Sequence, residues 1–227
     1  MLCYTMQKCA HTLAALAQEI QTPTLPDCIH IHLCLFTQLH PEDLWDPLDI
    51  PFTDCPCFKG HILTFNSAST CFDAPSDLSG IGRMHAEYIY STPMWRGTAP
   101  YQDCIYVGTN TKETGIYAND IACVLAFFSF TYWEIFYSYV VVQWFEKLGD
   151  GPDKDTGMWM VHPSSHTDCS PNIDAIHIDT IFCVAQLICI YGEKEISPLI
   201  KPYHTYNTFW AFNVNKYADH YLFEFVK

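Results

Sequence analysis

Apolar residues concentrate in one stretch, Ile121 to Phe145, which reads IACVLAFFSFTYWEIFYSYVVVQWF and carries a single charge, Glu134. A run of this length could cross a bilayer as a helix, since about 20 apolar residues suffice. Its composition points elsewhere. Aromatic side chains run throughout it, and Val140, Val141 and Val142 are β-branched, so the stretch suits a pleated surface better than a helix. A spanning helix would also keep Trp and Tyr at its ends beside a basic flank, whereas Asp120 and Glu146 flank this one. Two buried strands are predicted, roughly Cys123 to Phe130 and Tyr137 to Phe145, joined near Trp133 and Glu134. A membrane span near 121–145 is the alternative, because short apolar runs are ambiguous by periodicity alone.

The rest of the chain is read around that hairpin. Leu13, Leu16, Ala17 and Ile20 share one face of a short helix from His11 to Ile20, ended by Pro23 and Pro26. A second helix is predicted from Asp27 to Leu39, then an acidic, proline-rich loop from Pro41 to Pro56. His61 to Phe65 is a candidate strand, Asn66 to Gly82 is turn chemistry, and Met84 to Tyr90 is predicted helical, closed by Pro93. Tyr101 to Thr109 and Met158 to Val161 are candidate strands, with a polar loop over His162 to Asn172. Asp179 caps a predicted helix through Ile190, with Gly192 beyond it, and a last helix is predicted over Asn207 to Phe223. The expectation is an α+β fold, with a small antiparallel sheet or partly closed barrel flanked by helices. Three regions are expected: 1–96 with N-terminal helices and the proline-rich loop, 97–166 with the antiparallel strands, and 167–227 with C-terminal helices packed on them.

Charge narrows the function. With 25 acidic against 11 basic residues the chain carries −14, and no Lys/Arg cluster appears, so direct nucleic-acid binding is disfavoured. The 12 cysteines are scattered, the first residues lack the layout of a secretory signal, and no Asn-x-Ser/Thr acceptor occurs. An intracellular protein with reduced thiols, not secreted, is the expectation.

Four candidate chemistries follow from spacing. Cys28, His30, His32 and Cys34 alternate, so on a strand all four would face one way and offer zinc-type ligands, but no second ligand pair stands at a finger-like spacing. A zinc module or metal-dependent enzyme built on such clusters is the alternative to a protein without metal or cofactor. Cys55 and Cys57 lack a partner pair, and His162, His166, Cys169 and His177 form a looser set around a polar loop. Asp150, Asp153, Asp155 and Gly157 resemble a calcium loop without its closing Glu. His177 with Asp179 could serve acid–base chemistry only if folding supplied partners. Gly80-Ile81-Gly82 lacks a third glycine, and no nucleophile elbow, phosphate loop or HExxH motif occurs, so no enzyme signature is present.

Several blocks carry a resemblance. Phe65-Asn66-Ser67-Ala68-Ser69, Ala74 to Gly82, Met84-His85 and Pro93-Met94-Trp95-Arg96 are similar to proteins of Plavaka-type DNA transposons of basidiomycete fungi, in the Kyakuja-Dileera-Zisupton group. Leu125 to Phe130, Val142 to Phe145, Asp155 to Trp159, Ile176 to Asp179 and Val214 to His220 continue the likeness, from about His40 onward. In that family this region lies beyond the catalytic core of the transposase. The resemblance therefore implies a non-enzymatic remnant with at most a binding or assembly role, and a transposase core or a chromatin component, in the nucleus, as its partner. Departures from the family pattern, such as Cys123, Cys183 and Trp210 where it carries arginine, each fit one C-to-T or G-to-A change. They imply a decaying copy.

Overall fold

A computed structural model describes residues 61–74, 84–97, 99–109, 115–132, 134–192, 199–201 and 205–225. Its centre is the predicted hairpin. Strand β6 (Asn119–Tyr132) pairs antiparallel with β7 (Ile135–Leu148), from Ile121 opposite Phe145 to Tyr132 opposite Ile135. The connection is two residues long, and Glu134 adopts φ 66°, the left-handed conformation that such a tight turn demands. Both faces of β6 are covered from Ile121 to Phe130, which is why that stretch is apolar at every position but Ser129. Ile121 and Cys123 enter one core with Phe145, Val161, Phe212 and Leu222, while Ala122, Val124 and Phe127 enter another with Val140, Val142 and Ile89. Burying each large apolar side chain contributes about 1.5–3 kcal/mol, so the hairpin is the main source of packing energy. Ile121 to Phe145 is therefore strand, turn and strand. No helix among the described residues is long and apolar enough to cross a membrane, which says nothing about strands.

A single curled sheet grows from this hairpin. β5 (Cys104–Gly108) pairs with β6, and β10 (Ile181–Ala185) pairs with β5. On the other side β8 (Met160–Pro163) pairs with β7, β12 (Phe212–Val214) with β8, and β11 (Leu187–Cys189) with β12. The two ends of this path, β10 and β11, are consecutive in the chain and separated by Gln186 alone. The sheet thus curls until its edges belong to one bent segment, giving a nearly closed antiparallel barrel. β1 (Leu63–Phe65) adds to β6 and β9 (Ile173–His177) to β7.

Beside the barrel lies a three-stranded sheet of β2 (Ser67–Asp73), β3 (Met84–Trp95) and β4 (Ala99–Gln102). Polar ties fasten it to the barrel. A bulge between Val124 and Ala126 frees the Leu125 carbonyl, which accepts the Ser91 hydroxyl at 2.7 Å. The Thr70 hydroxyl donates to Phe182 O at 2.9 Å. Glu87 accepts Val184 N–H at 2.9 Å with one oxygen and the Tyr221 hydroxyl with the other, joining β3, β10 and the short helix α2 (His220–Phe225).

The α+β expectation with flanking helices is corrected: the described residues are mostly β. Only α2 and α1 (Thr205–Thr208) are α-helical among the described residues. Met84 to Tyr90 is the first half of β3, and Ser67–Asp73, expected as turn, is β2. The helix expected from Asp179 is one 3-10 turn, Ile178–Thr180, followed by β10 and β11. There Ile181, Cys183 and Ala185 are buried and alternate with half-buried residues, a period of two that an apolar count at helical spacing cannot distinguish. The helix expected over Asn207 to Phe223 is interrupted by β12, whose Phe212 and Val214 are needed to complete the barrel core. The strands expected at His61 to Phe65, Tyr101 to Thr109 and Met158 to Val161 are present as β1, β4 with β5, and β8. The expected helices at 11–20 and 27–39 and the proline-rich loop lie outside the described residues.

Candidate functional site

The outer face of β3 and β4 carries an aromatic cluster. Along β3, Ile89 and Ser91 are buried toward the barrel while Met84, Ala86 and Tyr88 are exposed, so even positions look outward. Tyr90 shares that outward parity, and Tyr101 of β4 pairs with Thr92, also even. A bulge between Thr92 and Trp95 brings the indole to the same group. The rings form a chain: Tyr88 stacks with Tyr90 at 6.5 Å, Tyr90 meets Trp95 edge-on at 5.0 Å, and Trp95 stacks with Tyr101 at 5.2 Å. Burial does not explain the outer members, because Tyr88 is 65% exposed and Tyr101 43%.

A carboxylate completes the cluster. Asp103 sits where β3, β4 and β6 meet: its N–H donates to Tyr90 O at 2.9 Å, and its carbonyl accepts Val124 N–H at 2.9 Å. Its side chain accepts Tyr90 N–H at 2.8 Å and the Tyr101 hydroxyl. Burial raises the Asp103 carboxyl above the ordinary range, opposed by those two hydrogen bonds and helped by the neighbouring charge of Glu87. The Tyr101 phenol is pushed up to about 12, by burial first and by Asp103 second, so it stays a donor.

Aromatic faces beside a carboxylate are the chemistry of cation recognition. The fold already uses it at this cluster, as it does elsewhere where Lys216 lies over the Tyr217 and Phe223 rings. Arg96 adopts φ 50° and Gly97 φ 75° in the turn after β3, and this turn carries the Arg96 guanidinium over the Trp95 ring at 5.7 Å.

Two other polar clusters have less to offer. Ser164 is buried, donates to Glu146 at 2.6 Å and accepts Asn172 at 3.1 Å, while His162 faces Glu146 at 3.7 Å and Pro163 O at 3.1 Å. The imidazole is thus engaged away from the serine, and the network pins the 164–172 loop. In the second, Glu87, His85, Asp219, Tyr221 and Cys183 gather at the joint of the two sheets. Burial and adjacent carboxylates push Tyr221 and Cys183 upward, the opposite of what a nucleophile requires.

The candidates from spacing are placed as follows. Cys28, His30, His32, Cys34, Cys55, Cys57 and Gly80 to Gly82 lie outside the described residues. His162 is on β8, His166 and Cys169 are in the loop, and His177 ends β9. Among the described residues, no group of three or more His, Cys, Asp or Glu is gathered to hold a metal ion. The Asp150 to Gly157 segment is a turn in which Asp153 accepts both the N–H and the hydroxyl of Thr156 at 2.8 Å. Those bonds lower the Asp153 carboxyl. His177 receives Asp179 N–H at 3.3 Å as a local cap. The aromatic cluster is hidden in the sequence because Met84 to Tyr90 has the composition of a helix. Its signal lies in Tyr88-x-Tyr90 on β3 and in Tyr101-x-Asp103 at the end of β4, two alternating pairs.

Comparison with protein-family models, with curated proteins and with solved structures found no match.

Proposed function

We propose that this chain is a non-catalytic binding module in which Tyr90, Trp95, Tyr101 and Asp103 receive a lysine- or arginine-rich segment of a protein partner. The single observation that carries this reading is the Trp95–Tyr101 stack, in which Tyr101 is exposed and Trp95 half-buried, beside the Asp103 carboxylate and with Arg96 already over the indole. The overall charge of −14 complements a basic segment and opposes a nucleic-acid backbone. The resemblance to transposon-encoded proteins supports the same role. A basic tail of a transposase core or of a chromatin component, met in the nucleus, is the partner that fits it, and the chain itself is then a remnant without strand-transfer chemistry.

Calorimetric titration of the full chain with a lysine-rich peptide, beside the same peptide with glutamine at each lysine, tests the reading. The basic peptide is expected to bind, more weakly as salt rises, and the neutral one not to bind. Tyr101→Ala is expected to weaken binding roughly 2- to 30-fold, the ~0.5–2 kcal/mol of one cation–π contact. Equal binding of both peptides, or none at millimolar concentration, would overturn it.

A further inference from the structure

Cys104 of β5 and Cys123 of β6 stand directly opposite each other. The bond from Val124 N–H to Asp103 O makes the neighbouring pair the hydrogen-bonded one, so the two cysteines occupy a non-hydrogen-bonded position. Opposed Cα atoms are ~4.5 Å apart at such positions, within the span that a disulfide accepts. Both side chains point into the barrel core, 1% and 2% exposed, and the two thiols are hydrogen-bonded to each other. The Tyr206 hydroxyl also contacts Cys104. The flanking pairs, Ile105 with Ala122 and Tyr106 with Ile121, hold both strands in register, so joining the sulfurs asks little of the backbone.

We propose that Cys104 and Cys123 are a disulfide-forming pair that closes when the chain equilibrates with a thiol–disulfide couple such as glutathione. One thiol, as its thiolate, attacks oxidised glutathione, forming a mixed disulfide and releasing one reduced glutathione. The second thiol then attacks the protein sulfur of that mixed disulfide, forming the Cys104–Cys123 bond and releasing the other. Two protein thiols are oxidised, one glutathione disulfide is reduced to two thiols, and both protons leave with the glutathione. The hydrogen bond with Cys104, and burial after it, hold the Cys123 thiol well above its ordinary value, so attack waits on transient opening of the β5–β6 edge. Exposed Cys71 and Cys169 exchange sooner, but neither faces another cysteine on a paired strand. The pair is independent of the peptide-binding face and survives its failure.

The test is to equilibrate the full chain, under native conditions, with glutathione buffers of increasing oxidation, then alkylate, digest with trypsin and weigh the fragments. Cleavage after Arg96, Lys112 and Lys147 leaves Cys104 and Cys123 as the sole cysteine of their respective fragments, so their link is unambiguous. Random pairing among 12 cysteines would join Cys123 to Cys104 in one case of 11, since 12 − 1 = 11 partners compete. The proposal expects this link in more than about half of the disulfide-bonded Cys123, several-fold above chance and requiring more reductant to open than other links. It also expects Cys104→Ser to leave Cys123 alkylated and not re-paired. Cys123 reduced throughout the series, or joined to other cysteines near the chance rate, would overturn it.

Discussion

At the scale of single residues, Asp103 and Arg96 set the properties of the aromatic face. Asp103 is raised by burial, and a bound cation favours its ionised form, so peptide affinity is present above the Asp103 pKa and lost below it. Because that pKa lies above the ordinary carboxylate range, affinity is expected to start falling, on acidification, at a higher pH than for an exposed carboxylate. Titrations across pH 7 to 4 check this, and Asp103→Asn should flatten the profile. Arg96 acts as a tethered competitor for the Trp95 ring. Arg96→Ala is expected to tighten the lysine-rich peptide a few-fold, as the ~0.5–1 kcal/mol of an exposed cation–π contact is freed, read by the same calorimetry.

At the scale of elements, β3 explains both what could be read in the chain and what could not. The β6–β7 hairpin was legible because its aromatic and β-branched run suits a buried strand better than a helix. β3 was not, because Met84, Ala86 and Glu87 are good helix formers and no glycine or proline breaks the stretch before Pro93. Its true period appears only when β2 and β4 pair with it. The same competition misplaced β10, where Asp179 looks like a helix cap and Gln186, the residue at which the strand bends into β11, leaves no mark in sequence. Glu87 shows how such elements are held once paired. Accepting from Val184 on β10 and Tyr221 on α2, it bridges three segments far apart in the chain. Glu87→Ala is expected to cost about 2–3 kcal/mol, since it strands a part-buried amide and a hydroxyl, measured as a lower denaturant midpoint with an unchanged slope.

At the scale of the whole molecule, a nearly closed barrel supplies rigidity and the attached three-stranded sheet supplies the exposed face. The hairpin provides one wall of the barrel and, through its bulge at Leu125, the anchor for β3, so packing energy and site placement come from the same strands. None of the aromatic residues of the site needed a special motif: they are strand residues on a face that the barrel does not cover. The central claim is that this face, and not the acidic surface at large, takes the basic segment. The most direct measurement is a nitrogen-15 NMR titration of the full chain with the lysine-rich peptide, using Trp95→Phe to assign the Trp95 indole signal. Saturable shifts at the Trp95 indole and at the Tyr90, Tyr101 and Asp103 amides, with Asp150, Asp153 and Asp155 unmoved, are the predicted result. Shifts centred on that acidic turn, or spread over the surface without saturation, would contradict the account.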